Sequence, residues 1–488
     1  MNIKRILSLL LVAFTTGNAF AQSSTLCDIS SDINEPMPVF PVPTETQLRW
    51  HDMEFYAFMH FGINTFTGRE WGYGDESINT FNPTAELNVE QWVTEIKNIG
   101  CKGIILTCKH HDGFCTWFTN TTNHSTKNNT TTYGHVDIPA LLSEECAKQG
   151  LKFGAYISPW DRNHAEYARA GYVETFREQI REICTNYGEI FEMWFDGANG
   201  GDGYYGGARE SRSIDAATYY DFPNTFKMIK ELQPDCAIWG WDQDCHWIGN
   251  EEGWAGETSW STYNKGANGN EYGDEDGWRW LPGEADAKNG PGWFWTFSDS
   301  QLKSAQELFN IYMMSVGRNA NLILNFPPNK TGSLSATTVT RMREFKALLD
   351  AAFGNDLAAG KSATASAERS SSVNNMYAAS NVTDGDKETY WALEDGETSG
   401  TIDIDLGSSQ TVTYVRLGEY IRKGQRVKGF EIYTWNGSDW TKQSTTEETT
   451  TIGHKRIVKL SSPVATQKVR VKITDSKVCP LISRISIY

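Results

Sequence analysis

The chain runs to 488 residues, more than one ordinary hydrophobic core supports, so two or three units are expected, one of them large if it is an α/β barrel. Its 39% hydrophobic and 22% charged residues describe a globular protein and exclude the disordered and fibrous classes. A formal charge of −17, from 44 basic and 61 acidic side chains, repels phosphate backbones and anionic lipid and speaks against nucleic acid as a partner.

Residues 1–21 read as a cleavable signal peptide. Lys4 and Arg5 precede an apolar stretch from Ile6 to Phe14, and Ala19-Phe20-Ala21 fits a small-x-small cleavage site before Gln22. The stretch is too short to span a bilayer, and no later run is long enough, so the expectation is an exported protein, periplasmic or extracellular, with no membrane insertion. The Ser-Thr-Leu before Cys27 makes a poor lipid-anchor signal. The nine cysteines are odd in number and irregularly spaced, and Cys101, Cys108, Cys146, Cys184 and Cys236 sit in apolar patterns. Mostly free, buried thiols are expected.

From about residue 45 to 353, short apolar runs alternate with amphipathic stretches. Strands are predicted at Phe55–Phe61, Gly103–Cys108, Lys152–Ser158, Ile190–Phe195, Cys236–Trp241 and Asn321–Phe326. Helices are predicted at Val89–Ile99, Ile138–Gln149, Tyr167–Tyr187, Ala217–Leu232 and Asp299–Val316. Such alternation means βαβ units and a parallel sheet. Six strands over roughly 300 residues fit a (β/α)8 barrel, here assigned to residues 22–353, better than a doubly wound sheet. The Gly-, Trp- and Asp-rich stretch 242–297 conceals the sixth and seventh strands.

A Ser/Ala/Asn-rich linker follows, and residues 357–488 change character. Short β-type runs at Thr401–Leu406, Val412–Leu417, Gly429–Trp435, Lys455–Leu460 and Lys468–Ile473 are separated by turn residues, as in an all-β antiparallel sandwich. Charge agrees with the break: this part carries 17 basic and 15 acidic side chains, so the acidity belongs to the first part.

In a barrel of this kind the active site lies where strands end and their loops begin. Read there, the strands end at His60, at His110-His111-Asp112-Gly113, in Tyr156 to Trp160, at Trp194-Phe195-Asp196-Gly197, and at Trp239 to Asp242. Histidines, aromatics and a carboxylate collect on one rim, and fifteen of the eighteen Trp precede residue 354. Aromatic walls with polar edges suit a sugar. Glycoside cleavage needs two carboxyl groups. Asp196 is the first candidate, with a helix N-cap as its plain alternative. Glu251, Glu252 and Glu257 are candidates for the second, with a partly buried place beside Trp247 or Trp254 expected for the acid; spacing alone does not choose among them. His110 and His111, adjacent on a strand, would face opposite ways and could not chelate one metal unless the strand has broken. No metal is expected at the site, and no cofactor is required. A catalytically inactive sugar-binding protein on the same barrel, or a retaining hydrolase for another sugar such as α-galactose, also fits these residues.

Seven pieces in order resemble α-L-fucosidases of glycoside hydrolase family 29: Phe58-Met59-His60-Phe61-Gly62, Glu70-Trp71-Gly72, His110 to Phe114, Ala155-Tyr156-Ile157-Ser158, Met193 to Gly197, Gly292-Trp293-Phe294-Trp295, and Ser315 to Asn325. The resemblance implies a retaining exo-α-L-fucosidase acting on fucosylated oligosaccharides or glycoconjugates, with Asp196 as nucleophile. It implies that His60, Glu70, Trp71, His110, His111, Tyr156, Trp194 and Trp293 hold fucose. Gly249-Asn250-Glu251-Glu252-Gly253 is similar to the subfamily that prefers branched α-1,3/1,4-linked (Lewis-type) fucose, which implies Glu251 as acid/base. Trp295 stands where many relatives have Tyr. The tail, through Asn381 to Trp391, resembles a discoidin or coagulation-factor C-type sandwich, as in family 32 carbohydrate-binding modules. That resemblance implies a structural calcium near Asp384-Gly385-Asp386, but Arg484 stands where relatives place a Glu, which disfavours the cation.

Overall fold

The computed structural model describes residues 34–488, so the leader assigned to residues 1–21 and Cys27 lie outside the described residues. Eight parallel strands form the first unit: β1 Phe55–Met59, β2 Gly103–Lys109, β3 Lys152–Ile157, β4 Ile190–Trp194, β5 Ala237–Trp239, β6 His246–Trp247, β7 Gly283–Lys288 and β8 Asn321–Asn325. Their order in the sheet is β5-β4-β3-β2-β1-β8-β7-β6, and a parallel bridge between Trp239 and Cys245 joins the two ends. This is a (β/α)8-type barrel. All five residues of β1 and all seven of β2 are buried, as strands covered on both faces require.

Helices lie outside, and local chemistry sets their ends. Asn88 caps Val89–Asn98, and Asp137 caps Ile138–Gln149, which Gly150 closes at φ 79°. The helix predicted from Asp299 starts at Ala305, where Ser304 and Glu307 form a capping box. The one predicted from Tyr167 starts at Ala170, because Ala168 at φ 63° breaks the run. The one predicted from Ala217 starts at Phe222, with Pro223 in its first turn. The fifth strand stops at Trp239, two residues early, because Gly240, Trp241 and Asp242 all adopt positive φ.

The two concealed strands are β6, only two residues long, and β7, whose Glu284, Asp286 and Lys288 alternate with alanines. No helix separates β5 from β6 or β6 from β7. The second link is instead a long excursion carrying a small hairpin of Thr262–Tyr263 with Arg279–Trp280.

The second unit is an antiparallel sandwich of β9 Ser362–Ala365, β10 Trp391–Ala392, β11 Gly400–Glu419, β12 Val427–Trp435, β13 Trp440–Lys442, β14 Arg456–Ser476 and β15 Leu481–Ile487. Four of the predicted short runs are halves of two long strands. Thr401–Leu406 and Val412–Leu417 join in β11 across register shifts around Gly407, and Lys455–Leu460 and Lys468–Ile473 join in β14. The sandwich has its own core around Trp391, Val415, Phe430 and Ile485. Ion pairs tie it to the barrel: Lys455 to Glu54 at 2.6 Å and Arg318 to Glu447 at 2.9 Å. The eight cysteines among the described residues are all buried and free. Among those residues no helix is long and apolar enough to cross a membrane.

Candidate active site

At the C-terminal ends of the barrel strands lies a cavity of about 110 Å³ lined by Phe58, His60, Trp71, His110, His111, Tyr156, Trp194, Asp196, Glu251, Asp286 and Trp293. The fold thus gathers, from six strands and their loops, residues that are 235 positions apart in the chain. Of the residues that the family resemblance assigns to catalysis or to holding fucose, Glu70 alone does not line the cavity. Its Oε1 accepts the backbone N–H of Trp293 at 2.8 Å, so it holds a wall instead. Burial holds the Glu70 carboxyl above the ordinary range.

Asp196 stands two residues past the end of β4. Its Oδ1 accepts the Ala198 N–H at 2.7 Å, and its Oδ2 accepts the Tyr156 hydroxyl at 2.9 Å. His111 Nε2 lies 3.9 Å from the same oxygen. The carboxylate is therefore fixed from below while its side chain stays about a quarter exposed to the cavity. Burial, then the charge of Asp196, pushes the Tyr156 phenol well up, so it remains a donor.

β2 ends at Lys109, one residue before the histidine pair. The alternation that would have sent His110 and His111 to opposite faces is therefore already broken, and both line the cavity with ring centroids 4.0 Å apart. Gly113 at φ 79° makes the turn that follows. His111 Nδ1 bonds Ser158 Oγ at 2.7 Å, and His60 Nδ1 bonds Asn325 Oδ1 at 2.9 Å. His110 Nδ1 is buried without a partner among the described residues. Desolvation dominates all three: His60 is lowered to about 4, His111 to about 3, and His110 well below its ordinary value. At neutral pH they are uncharged rings, each able to donate from one nitrogen and accept at the other.

Aromatic side chains build the walls. Trp194 stacks on Tyr156, with centroids at 5.2 Å, and on Trp239 at 3.7 Å. Trp293 tilts over His60 at 5.1 Å, and half-exposed Trp71 stands edge-on to His111 at 5.0 Å.

Of the three glutamates left open by spacing, only Glu251 lines the cavity. Glu252 is exposed and bridges through its backbone to Ala287. Glu257 accepts the Glu448 N–H at 2.7 Å, against the sandwich. Glu251 is not buried beside Trp247 or Trp254 as expected. It is exposed, with Lys288 Nζ 2.8 Å from its Oε2. Sequence reading missed Phe58, Asp286 and Lys288. The period-two alternation of Glu284, Asp286 and Lys288 was the available signal, since it puts all three on one face of a strand. Asp286 is buried, accepts Trp247 Nε1 at 2.8 Å, and is pushed well up by burial and then by Glu251.

Residues 39–352 match the family model for α-L-fucosidase, and residues 362–485 match that of the F5/8 type C domain. The chain belongs to the α-L-fucosidase family. It is 34% identical over 465 residues to α-L-fucosidase 1 of Arabidopsis thaliana, covering 93% of this chain and 88% of that one. A Ruminococcus gnavus fucosidase of glycoside hydrolase family 29, solved in complex with fucose, is 33% identical with a TM-score of 0.82, covering 93% and 96% of the two chains. A family 29 member from an unknown rumen bacterium is 40% identical with a TM-score of 0.80, covering 93% of this chain and 78% of that one. This α-L-fucosidase is a glycoside hydrolase whose substrates carry fucose.

Proposed function

We propose that this α-L-fucosidase is a retaining enzyme in which Asp196 attacks the anomeric carbon and Glu251 protonates the leaving oxygen. Three carboxyl groups line one small cavity, and since Asp286 is buried and bonded to Trp247, the observation that carries the reading is the remaining pair: Asp196, held from below by Tyr156 and Ala198, and Glu251 on the loop above. Retention calls for carboxyls roughly 5–5.5 Å apart when substrate is bound. Glu251 meets Lys288 in the free enzyme, so it has to exchange that ammonium for the glycosidic oxygen when substrate enters. Neutral His60, His110 and His111 supply hydrogen bonds to hydroxyls, while Trp71, Trp194 and Trp293 supply the apolar wall that a C6 methyl needs, with Glu70 bracing Trp293.

The substrate class we propose is branched, Lewis-type α-1,3/1,4-linked fucose. A recess of about 260 Å³ lined by Trp239, Trp241, Asp242 and Trp247 shares Trp239 and Trp247 with the surroundings of the fucose cavity, and has room for a second sugar on the same acceptor. We propose further that the chain is exported, on the leader in residues 1–21. The sandwich we propose to be calcium-independent: Arg484 Nη1 reaches the Gly385 carbonyl at 3.5 Å, so a guanidinium occupies the turn where the resemblance would put a cation.

The test is leaving-group dependence. Glu251→Gln should cost roughly 10²–10⁴ in rate on a natural fucoside, which needs a proton, and far less on an activated aryl fucoside, which does not. If Glu252→Gln or Asp286→Asn shows that pattern and Glu251→Gln does not, the assignment is wrong.

A further inference from the structure

Below the cavity the barrel holds two carboxyl groups that the proposed reaction does not use. Glu192 on β4 and Glu284 on β7 are buried at 0% and 1% exposure, and with Cys245 they bring their ligand atoms within 4.8 Å of one another. Among the described residues no lysine, arginine or histidine forms an ion pair with either carboxyl. Hydrogen-bond donors hold them instead. Trp50 Nε1 donates to Glu192 Oε2 at 3.1 Å, Trp194 Nε1 donates to Glu284 Oε1 at 2.8 Å, and the Tyr56 hydroxyl donates to Glu284 Oε2.

The two carboxyls bring oxygens within 4.8 Å of one another in a site closed to water, where two negative charges would repel strongly. At least one proton must therefore lie between them. Burial pushes both groups up, and the charge of Glu284 pushes Glu192 further. The other titratable groups around the pair cannot relieve it. Tyr56 and Cys245 are themselves buried acids, Asp286 is the next acid along β7, and Cys236 lies before β5. Lys230, below, is taken by Asp244 at 2.7 Å.

We infer that Glu192 and Glu284 form a proton-sharing positioning pair, Glu192 donating to Glu284, that fixes the Trp194 indole as the floor of the fucose cavity. The inference rests on reading that cavity as the fucose site. Trp194 lies between Trp239 and Tyr156 in nearly parallel stacks, at interplanar angles of 10° and 21°. A stack resists tilting but lets a ring slide within its plane, and the Nε1–Oε1 bond to Glu284 stops the slide. Tyr156, on the other face of that indole, donates to Asp196, so the pair also steadies the nucleophile's partner. A metal ion is the competing occupant, but each Glu284 oxygen already accepts an N–H or O–H that a cation would displace.

Fucose is the product, so its affinity can be measured on the full-length enzyme by titration calorimetry without turnover. Glu192→Gln keeps an N–H to donate to Glu284 and should bind fucose within about threefold of the parent, while Glu192→Ala should bind it tenfold or more weakly, as loss of one hydrogen bond to a charged group implies. A second readout is the pH dependence of melting. Both carboxyls sit above their ordinary range in the folded chain, so the stability their protons confer is complete below that range and fades as pH rises through the raised values. Glu192→Gln cannot ionise and should fade less on the alkaline side, and this comparison decides the matter if Glu192→Ala does not fold. Parent-like fucose affinity in Glu192→Ala, or identical alkaline fading in Glu192→Gln and the parent, would overturn the inference. So would a stoichiometric divalent metal in the purified enzyme that Glu192→Gln loses. If the parent itself does not bind fucose, the reading of the cavity fails and the inference with it.

Discussion

Replacing Asn325 by Asp should move the acid limit of fucose binding. Asn325 Nδ2 donates to the Trp293 carbonyl at 2.7 Å, so its Oδ1 is the atom that faces His60 Nδ1 at 2.9 Å. An acceptor there assigns the proton to Nδ1 and leaves Nε2 as a lone pair for a sugar hydroxyl. With burial holding His60 at about 4, parent affinity should stay flat from pH 7 to 5 and fall only toward pH 4. A carboxylate at hydrogen-bond distance raises a histidine by about 1–3 units, which carries the midpoint from about 4 to roughly 5–7 in Asn325→Asp. The change also strips the Trp293 carbonyl of its donor, a pH-independent loss of about 1–3 kcal/mol that shifts the whole curve without moving its midpoint. Calorimetric fucose affinities between pH 4 and 7.5 separate the two effects. An unchanged midpoint in Asn325→Asp, or parent affinity already falling tenfold between pH 7 and 5.5, would refute the argument that desolvation keeps His60 neutral.

The depressed His60 value also bears on stability: the neutral ring contributes fully above the unfolded value of 6.5, and about 3 kcal/mol is lost as pH falls through about 4. Melting of His60→Asn should therefore change less between pH 6.5 and 4 than that of the parent. Gly113→Ala should lower both melting temperature and kcat/KM, because φ is 79° and a Cβ would meet Asp161 Oδ1 at 2.2 Å, in the turn just after the histidine pair; unaltered kinetics would show that this turn does not position the pair. Trp71→Ala should raise KM by about two- to tenfold with a smaller effect on kcat, since an exposed aromatic wall contributes about 0.5–1.5 kcal/mol; a larger fall in kcat than in affinity would give Trp71 a part in the reaction itself. Chelation with EDTA should leave the melting temperature unchanged, and a drop restored by calcium would show that Arg484 does not replace the cation.

The alternation of β1 to β4 with capped helices was legible because these strands are continuous apolar runs buried on both faces, and because Asn88, Asp137 and Gly150 mark helix ends by local chemistry. The family motifs were legible for a related reason: His60, His110, His111, Tyr156, Trp194 and Asp196 lie at strand ends, where chain position and cavity position coincide. The sandwich runs were legible as β structure, but their joining into β11 and β14 was not, because Gly407 looks like a turn in sequence and serves as a register shift in the sheet. β6 and β7 escaped for opposite reasons. Two residues are too few to show a period, and the acidic face of β7 points into the barrel, so its alternation looks like a surface strand. The helix starts at Phe222 and Ala305 were set by Pro223 and by the Ser304 capping box, which were readable but outweighed by apolar periodicity. The choice of Glu251 over Glu252 and Glu257 as the residue on the cavity needed the tertiary structure, because all three sit in one polar loop and only the path of the backbone past β7 and the sandwich separates them. So did the pairing of Glu192 with Glu284, since residues 92 positions apart become neighbours only when the barrel closes and the water that would have kept them independently ionised is excluded.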